Sequence, residues 1–174
     1  HPQTLSQAVE AITVRIARGH KGAVTMRYSV LGHIEQIVLP SPLDAVRTDG
    51  LWQHSCFEMF VRPSGRQGYC EFDFSPSSQW AAYGFDGYRS GMAEMEGMVP
   101  PEISMLTTPK RLDMHAALPV GLLAVWPDWQ VGLSSIIEEK DGSKSYWALS
   151  HPVGAADFHD QDCFIAQLSA SRAA

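Results

Sequence analysis

The sequence lacks any apolar run near the ~18–20 residues needed to cross a bilayer. Its first residues, HPQTLSQAVEA, hold no basic stretch followed by an apolar one. Both absences argue against a membrane-anchored chain and a membrane partner. Positive charge is scarce: 13 Lys plus Arg stand against 19 Asp plus Glu, a net charge of −6 with no sizeable basic cluster. This argues against binding the phosphate backbone of a nucleic acid. Cysteine is scarce as well. Cys56, Cys70 and Cys163 are an odd, widely spread set, which fits reduced, buried thiols better than a bridged secreted scaffold and makes the cytoplasm the default expectation. Internal repeats, linkers and shifts of composition are missing, and no segment sustains a helical period.

What is present suits a packed core. Hydrophobic residues make up 45% of the 174 residues and charged residues 18%, with five Trp, five Tyr and seven Phe. Length and composition predict one globular domain, 1–174, that needs no disulfide framework. Apolar residues alternate with polar ones: Ile12, Val14 and Ile16 with Thr13, Arg15 and Ala17, then Val24, Met26, Tyr28 and Val30 with Thr25, Arg27 and Ser29. Each run predicts a half-buried strand. Further strands are expected over 33–39, 55–62, 68–75, 80–88, 111–118, 129–138, 143–149 and 163–168, about ten in all. Turn signals separate them, notably PSGRQG (63–68), SPSSQ (75–79) and KDGS (140–143). The pattern is all-β, an antiparallel β-sandwich. The Gly- and Met-rich stretch 91–102 reads as a mobile surface loop.

The turn at 63–68 permits a test of register. Pairing Val61 with Cys70 also pairs Met59 with Phe72 and Phe57 with Phe74, making one face wholly apolar. The other face then holds Cys56, Glu58, Phe60 and Arg62 beside Ser75, Asp73, Glu71 and Tyr69, an unusual mixture for plain solvent. A slip of one residue would bury Glu58, Glu71 and Asp73 together, at several kcal/mol unless they are paired. At the second hairpin, the Asp141-Gly142 turn sets Ile137 near Tyr146 and Ile136 near Trp147. An irregular polar segment, SHPVGAADFHDQD (150–162), follows.

Four groups of side chains bear chemistry. Glu58 with Glu71 or Asp73 can act as an acid and base pair or accept hydrogen bonds from sugar hydroxyls; the competing reading is a solvated or Arg-paired sheet face. Trp52, Trp80, Tyr83, Tyr88, Trp129 and Trp147 can supply a stacking platform for a pyranose ring or simply pack the core. Trp52 and Trp80 lie next to turns, where ligand contacts concentrate. His54, His151 and His159, with Asp157, offer donors for a zinc-like site, although neither H-x-x-x-H nor paired C-x-x-C spacing supports it, and structural hydrogen bonding in the loop competes. Nucleophilic catalysis has little support, since no Gly-x-Ser-x-Gly elbow occurs and the register places Cys70 on the apolar face. A haem site would need a Met and a His as axial ligands, and none of the seven Met is singled out.

Taken in order, LWQHSCFEMFV (51–61), YCEFDFSPSSQWAAYGFDGYR (69–89), GLSSIIEEKDGSKSYWALSHP (132–152) and DFHDQDCF (157–164) resemble the DOMON-like proteins of bacteria, related to the family 9 carbohydrate-binding modules. The resemblance covers most of the chain from about residue 20. It implies a β-sandwich in which an aromatic slot holds a terminal sugar, charged and amide side chains meet its hydroxyls, and calcium is sometimes bound structurally. Carried onto this sequence, the matching positions are Trp52, Glu58, Glu71, Trp80, Tyr83, Arg89, Trp147, His151, Asp157 and His159. The expectation is a non-catalytic module that stacks a small polar ligand, most plausibly a saccharide, on Trp, bonds it through Glu58, Glu71, Arg89 and His151, and closes over it with 150–162. Its rivals are a hydrolase using Glu58 and Glu71 or the His cluster, a haem-binding relative, and a protein-interaction module.

Overall fold

Alternation along the chain becomes two antiparallel sheets packed face to face. A computed structural model describes residues 1–19, 23–119 and 121–169. Eleven strands occur among them: β1 (Val9–Arg18), β2 (Ala23–Gly32), β3 (Cys56–Pro63), β4 (Tyr69–Phe74), β5 (Trp80–Phe85), β6 (Ala93–Glu94), β7 (Glu102–Thr108), β8 (Arg111–Pro119), β9 (Asp128–Glu138), β10 (Lys144–Ala148) and β11 (Ala166–Ser169). The smaller sheet runs β1-β2-β8-β7 and the larger β10-β9-β3-β4-β5-β6, with β11 also pairing β9. β10 and β11 share one edge of β9, β10 along 134–138 and β11 along 128–131.

The core lies between the sheets. Val24, Met26, Tyr28 and Val30 of β2 and Leu112, Met114 and Leu118 of β8 meet Phe57, Met59 and Val61 of β3, Phe72 and Phe74 of β4, and Trp129, Val131 and Leu133 of β9. The period of two that marked these strands puts every second residue inward. Tyr28 bridges the sheets: its ring lies 5.1 Å from that of Phe57, and its hydroxyl donates to the Glu58 carbonyl at 2.6 Å.

The β3–β4 ladder has the expected register, with Val61 opposite Cys70, Met59 opposite Phe72 and Phe57 opposite Phe74. Other expectations need correction. The 33–39 segment is a short 3-10 helix, Ile34–Gln36, followed by a single bridge from Ile37 to Glu139. Its apolar residues Ile34 and Ile37 recur at a spacing of three, which a tight helical turn satisfies and a strand does not. The 91–102 stretch contains β6 and reaches the start of β7. The last strand begins at Ala166, after a 3-10 helix over Gln161–Cys163.

The β9–β10 hairpin is offset by one residue from expectation: Tyr146 pairs with Ile136, and Trp147 with Ser135. The cause is the turn. Gly142 N–H donates to the Glu139 carbonyl at 2.9 Å, Gly142 takes φ +88°, and Glu139 N–H donates to the Ser143 carbonyl at 2.9 Å. This is a three-residue connection ending in a left-handed glycine, not a two-residue turn, and the extra residue shifts the ladder.

Candidate functional site

The outer face of the larger sheet is also covered. On it β9 contributes Gly132, Ser134 and Ile136, and β3 contributes Phe60, Glu58 and Cys56 opposite them. On β4, Glu71 pairs with Phe60 and Asp73 with Glu58, and on β5 Tyr83 pairs with Glu71. A second apolar cluster packs here, in which Leu51, Phe158, Cys163 and Phe164 bury Phe60, Tyr69, Phe85 and Ile136. Solvent was therefore the wrong environment for the carboxylates. Glu58 is 2% exposed, Glu71 6% and Asp73 0%, so the observed register buries the trio that a slipped register was expected to bury.

Local sequence explains the cover. Asp160 accepts from Asp162 N–H at 2.8 Å and caps the 3-10 helix that starts at Gln161. Phe164 then stacks on Phe60 at 5.7 Å between ring centres. Position 132 must be glycine for this, because a Cβ there would stand 2.7 Å from Phe164 Cδ1. Asp157 ties the cover to the opposite rim. It accepts from Arg89 Nη2 at 2.7 Å, from the Tyr88 hydroxyl, and from His159 N–H at 3.1 Å.

Between cover and rim lies a cleft of about 330 Å³. Glu58, Glu71 and Phe60 form its floor, Trp52, Tyr83 and Phe158 stand among its aromatic lining, and Arg89 and His159 reach it from the loops. Trp52 belongs to the 3-10 turn Leu51–Gln53, is 41% exposed, and meets Tyr83 edge to face at 6.3 Å. Tyr83 is fixed by donating to Asp49 Oδ1 at 2.7 Å, with the Arg47 guanidinium 5.2 Å from its ring centre. Arg89 adopts φ +48°, a conformation unusual outside glycine, and its own N–H donates to the Tyr69 hydroxyl at 3.2 Å.

The Tyr69 hydroxyl, which accepts from Arg89 N–H, also hydrogen-bonds His159 Nδ1, 2.8 Å away. The other ring nitrogen, Nε2, faces Glu71 Oε2 at 3.8 Å. Burial pushes the imidazole down to about 4, so the ring is neutral near pH 7. The carboxyls shift the opposite way. Burial, reinforced by the charge of Glu71, raises Glu58 to about 8 against the opposing bond from Ser134 Oγ at 2.8 Å. Glu71 rises to about 7, chiefly through burial. Asp73 rises well above its ordinary value through burial, then the charges of Glu58 and Glu71 and a carboxyl–carboxyl hydrogen bond with Glu71; no N–H or hydroxyl group donates to its oxygens among the described residues.

Of the ten residues singled out in the sequence, Trp52, Glu58, Glu71, Tyr83, Arg89 and His159 line the cleft, and Asp157 holds Arg89. Three sit elsewhere. Trp80 packs in the inter-sheet core, 5% exposed. Trp147 lies on the core side of β10, its Nε1 donating to Ser145 Oγ at 2.9 Å, while Tyr146 takes the cleft side. His151 rests against Phe158, 6.1 Å between ring centres. The three histidines do not converge: His54 pairs with Glu138 at 2.7 Å, far along β9 from His159 on Tyr69. Phe60, Ile136, Tyr146 and Phe158 also line the cleft. The alternation that gave Glu58 already placed Phe60 on its face, whereas Phe158 had no local signal.

No family model matches the sequence, and no curated protein matches it. Among solved structures, a proposed carbohydrate-binding protein from Bacteroides uniformis superposes with a TM-score of 0.59 at 16% identity, over 98% of this chain and 88% of that one. A family 9 carbohydrate-binding module from Caldicellulosiruptor kristjanssonii, solved with cellotriose, has a TM-score of 0.50 at 10% identity, over 96% and 80%. At these identities the likeness establishes the shared fold.

Proposed function

We propose that the chain is a non-catalytic module that captures a neutral saccharide in the cleft between Trp52 and the 150–164 segment. The observation that carries this reading is the meeting of aromatic faces with buried carboxyls in one space. Trp52 and Tyr83 stand beside Glu58 and Glu71 in a cleft of about 330 Å³. A pyranose has the same two-sided character, with apolar C–H faces suited to an indole and hydroxyls suited to carboxyls and a guanidinium. Charge narrows the class. Arg89 is the one arginine or lysine lining the cleft among the described residues, and Asp157 already partners it, so an anionic sugar would meet two acidic floor residues without a free cation. The shared fold with a module solved in complex with cellotriose supports the same reading.

Isothermal titration with neutral mono- and oligosaccharides, alongside uronic acids and sugar phosphates, tests it. Binding by a neutral sugar that Trp52→Ala weakens roughly thirtyfold, the equivalent of about 2 kcal/mol for an aromatic anchor, with circular dichroism unchanged, is the expected result. Equal affinity in wild type and Trp52→Ala overturns the stacking role, and a flat panel across neutral sugars overturns the saccharide reading.

A further inference from the structure

Behind the cleft floor, three side chains from adjacent strands converge with no ion pair to a cationic side chain among the described residues. Cys56 and Glu58 project from β3 and Asp73 from β4, all buried, and one ligand-type atom of each lies within 4.8 Å of the others. Three atoms so spaced share a point no more than about 2.8 Å from each, against about 2.3 Å for a zinc–sulfur and about 2.0 Å for a zinc–oxygen bond. Shifts of several tenths of an ångström would complete first-row metal distances. Asp73 adds an independent sign. It is fully buried, lies within reach of the other two, and receives no N–H or hydroxyl hydrogen bond among the described residues, its one polar partner being the carboxyl of Glu71, although buried carboxyl oxygens ordinarily find such a donor. Ser134 Oγ occupies Glu58 Oε2 at 2.8 Å, leaving the second carboxyl oxygen for another partner. The Cys56 thiol makes only weak contacts to the Phe57 and Phe74 carbonyls, each at 3.8 Å.

We infer that Cys56, Glu58 and Asp73 form a binding site for one borderline-soft divalent cation, of which zinc is the natural occupant. A thiolate beside two carboxylates favours zinc over calcium or magnesium, which seek oxygen-only shells. The cation supplies the positive charge that this buried trio lacks. On binding, Cys56 gives its thiol proton to solvent and the carboxyls bind as anions, so uptake releases protons and tightens as pH rises. Glu58 also lines the cleft, which provides the entry path. The site shares Glu58 with the cleft, but its test rests on Cys56 and Asp73, whereas the saccharide reading stands or falls on Trp52.

The full chain, stripped with a chelator and dialysed, is titrated with Co²⁺ and with Zn²⁺. One equivalent of metal should bind. The Co²⁺ form should show thiolate-to-metal charge-transfer absorption that disappears in Cys56→Ser and persists in Cys70→Ser and Cys163→Ser, and Zn²⁺ a hundredfold above Kd should raise Tm by roughly 5–10 °C. Asp73→Asn separates metal binding from folding. It should raise Tm in the stripped protein by removing one of three crowded, buried carboxyls, yet abolish the rise that zinc gives the wild type. No metal uptake by the stripped wild type, a charge-transfer band that survives Cys56→Ser, or an undiminished zinc response in Asp73→Asn overturns the site. Should Cys56→Ser fail to fold, the Asp73→Asn comparison decides.

Discussion

Glu58 and Asp73 face each other across the β3–β4 ladder with both side chains buried, and neither forms an ion pair among the described residues. In chelator-treated protein this arrangement makes stability fall with rising pH. The folded chain keeps protons on Glu58 up to about 8 and on Glu71 up to about 7, where an unfolded chain has released them, so the native state binds more protons and alkali favours unfolding. His159 acts in the opposite sense, since its pKa is lowered to about 4, but that contribution is complete above ~6.5, the pKa of an unfolded histidine. Between pH 6.5 and 8, as the approximate window, urea midpoints should drop. Asp73→Asn should flatten the drop and add on the order of 1–3 kcal/mol at the upper end. An unchanged slope in the variant would show that the trio does not titrate as a unit.

Gly132→Ala should destabilise. Alanine ordinarily improves on glycine in a strand by roughly 0.5–1 kcal/mol, but here its methyl would lie 2.7 Å from Phe164 Cδ1. Displacing a buried ring stacked on Phe60 costs about 1–3 kcal/mol as overpacking. Chemical denaturation gives the sign, and a sugar titration of the same variant should show weaker binding, because Phe164 anchors the cover.

The offset β9–β10 hairpin predicts different consequences for neighbours. Tyr146→Ala should weaken ligand binding with a small change in stability. Trp147→Ala, which empties a half-buried position packed on the core, should lower stability by about 2–4 kcal/mol and leave affinity intact. A reversed pair of phenotypes would restore the register that a two-residue turn would impose.

Arg89 allows backbone and side chain to be separated. Arg89→Gly and Arg89→Ala both remove the guanidinium and should weaken binding alike. At φ +48° glycine carries no Cβ penalty, so the glycine variant should be the more stable of the two by about 1 kcal/mol. Asp157→Asn should cost less than about 1 kcal/mol of stability, as exposed ion pairs do, while reducing affinity through the released Arg89. Thermal melts beside titrations read both quantities.

Thiol reactivity follows from burial. Cys56 and Cys163 are buried and Cys70 is partly so, all three unbridged. Burial pushes Cys70 up to about 11 and Cys163 up to about 12. Native protein at pH 8 should react slowly with a thiol-specific disulfide reagent, Cys70 first, and denatured protein should expose all three at once.

How much of this was legible depends on the range of the interaction. The β3–β4 register followed from local alternation, since pairing Met59 with Phe72 commits Glu58 and Asp73 to the other face. The same logic failed for Trp147 because a single left-handed glycine at 142 added one residue to the turn and exchanged Tyr146 for it. The environment of the carboxyl face was misread for a different reason. Nothing near Glu58 in sequence reveals that Phe158 and Phe164 will fold over it. Trp80 sits beside a turn, as a ligand contact would, but faces the core with Phe74 as its strand partner.

The contacts that shut the cleft join distant parts of the chain: Arg89 to Asp157 across 68 positions, and Tyr69 to His159 across 90. Contacts of that span form late, after the loops between them have been closed at an entropic cost. A fragment ending before residue 157 would keep the β3–β4 hairpin but lose Phe158 and His159 from the cleft and Asp157 from Arg89. On the proposed reading, ligand capture is consequently a test of completed folding, and a column carrying the bound sugar should select native molecules from a refolding mixture.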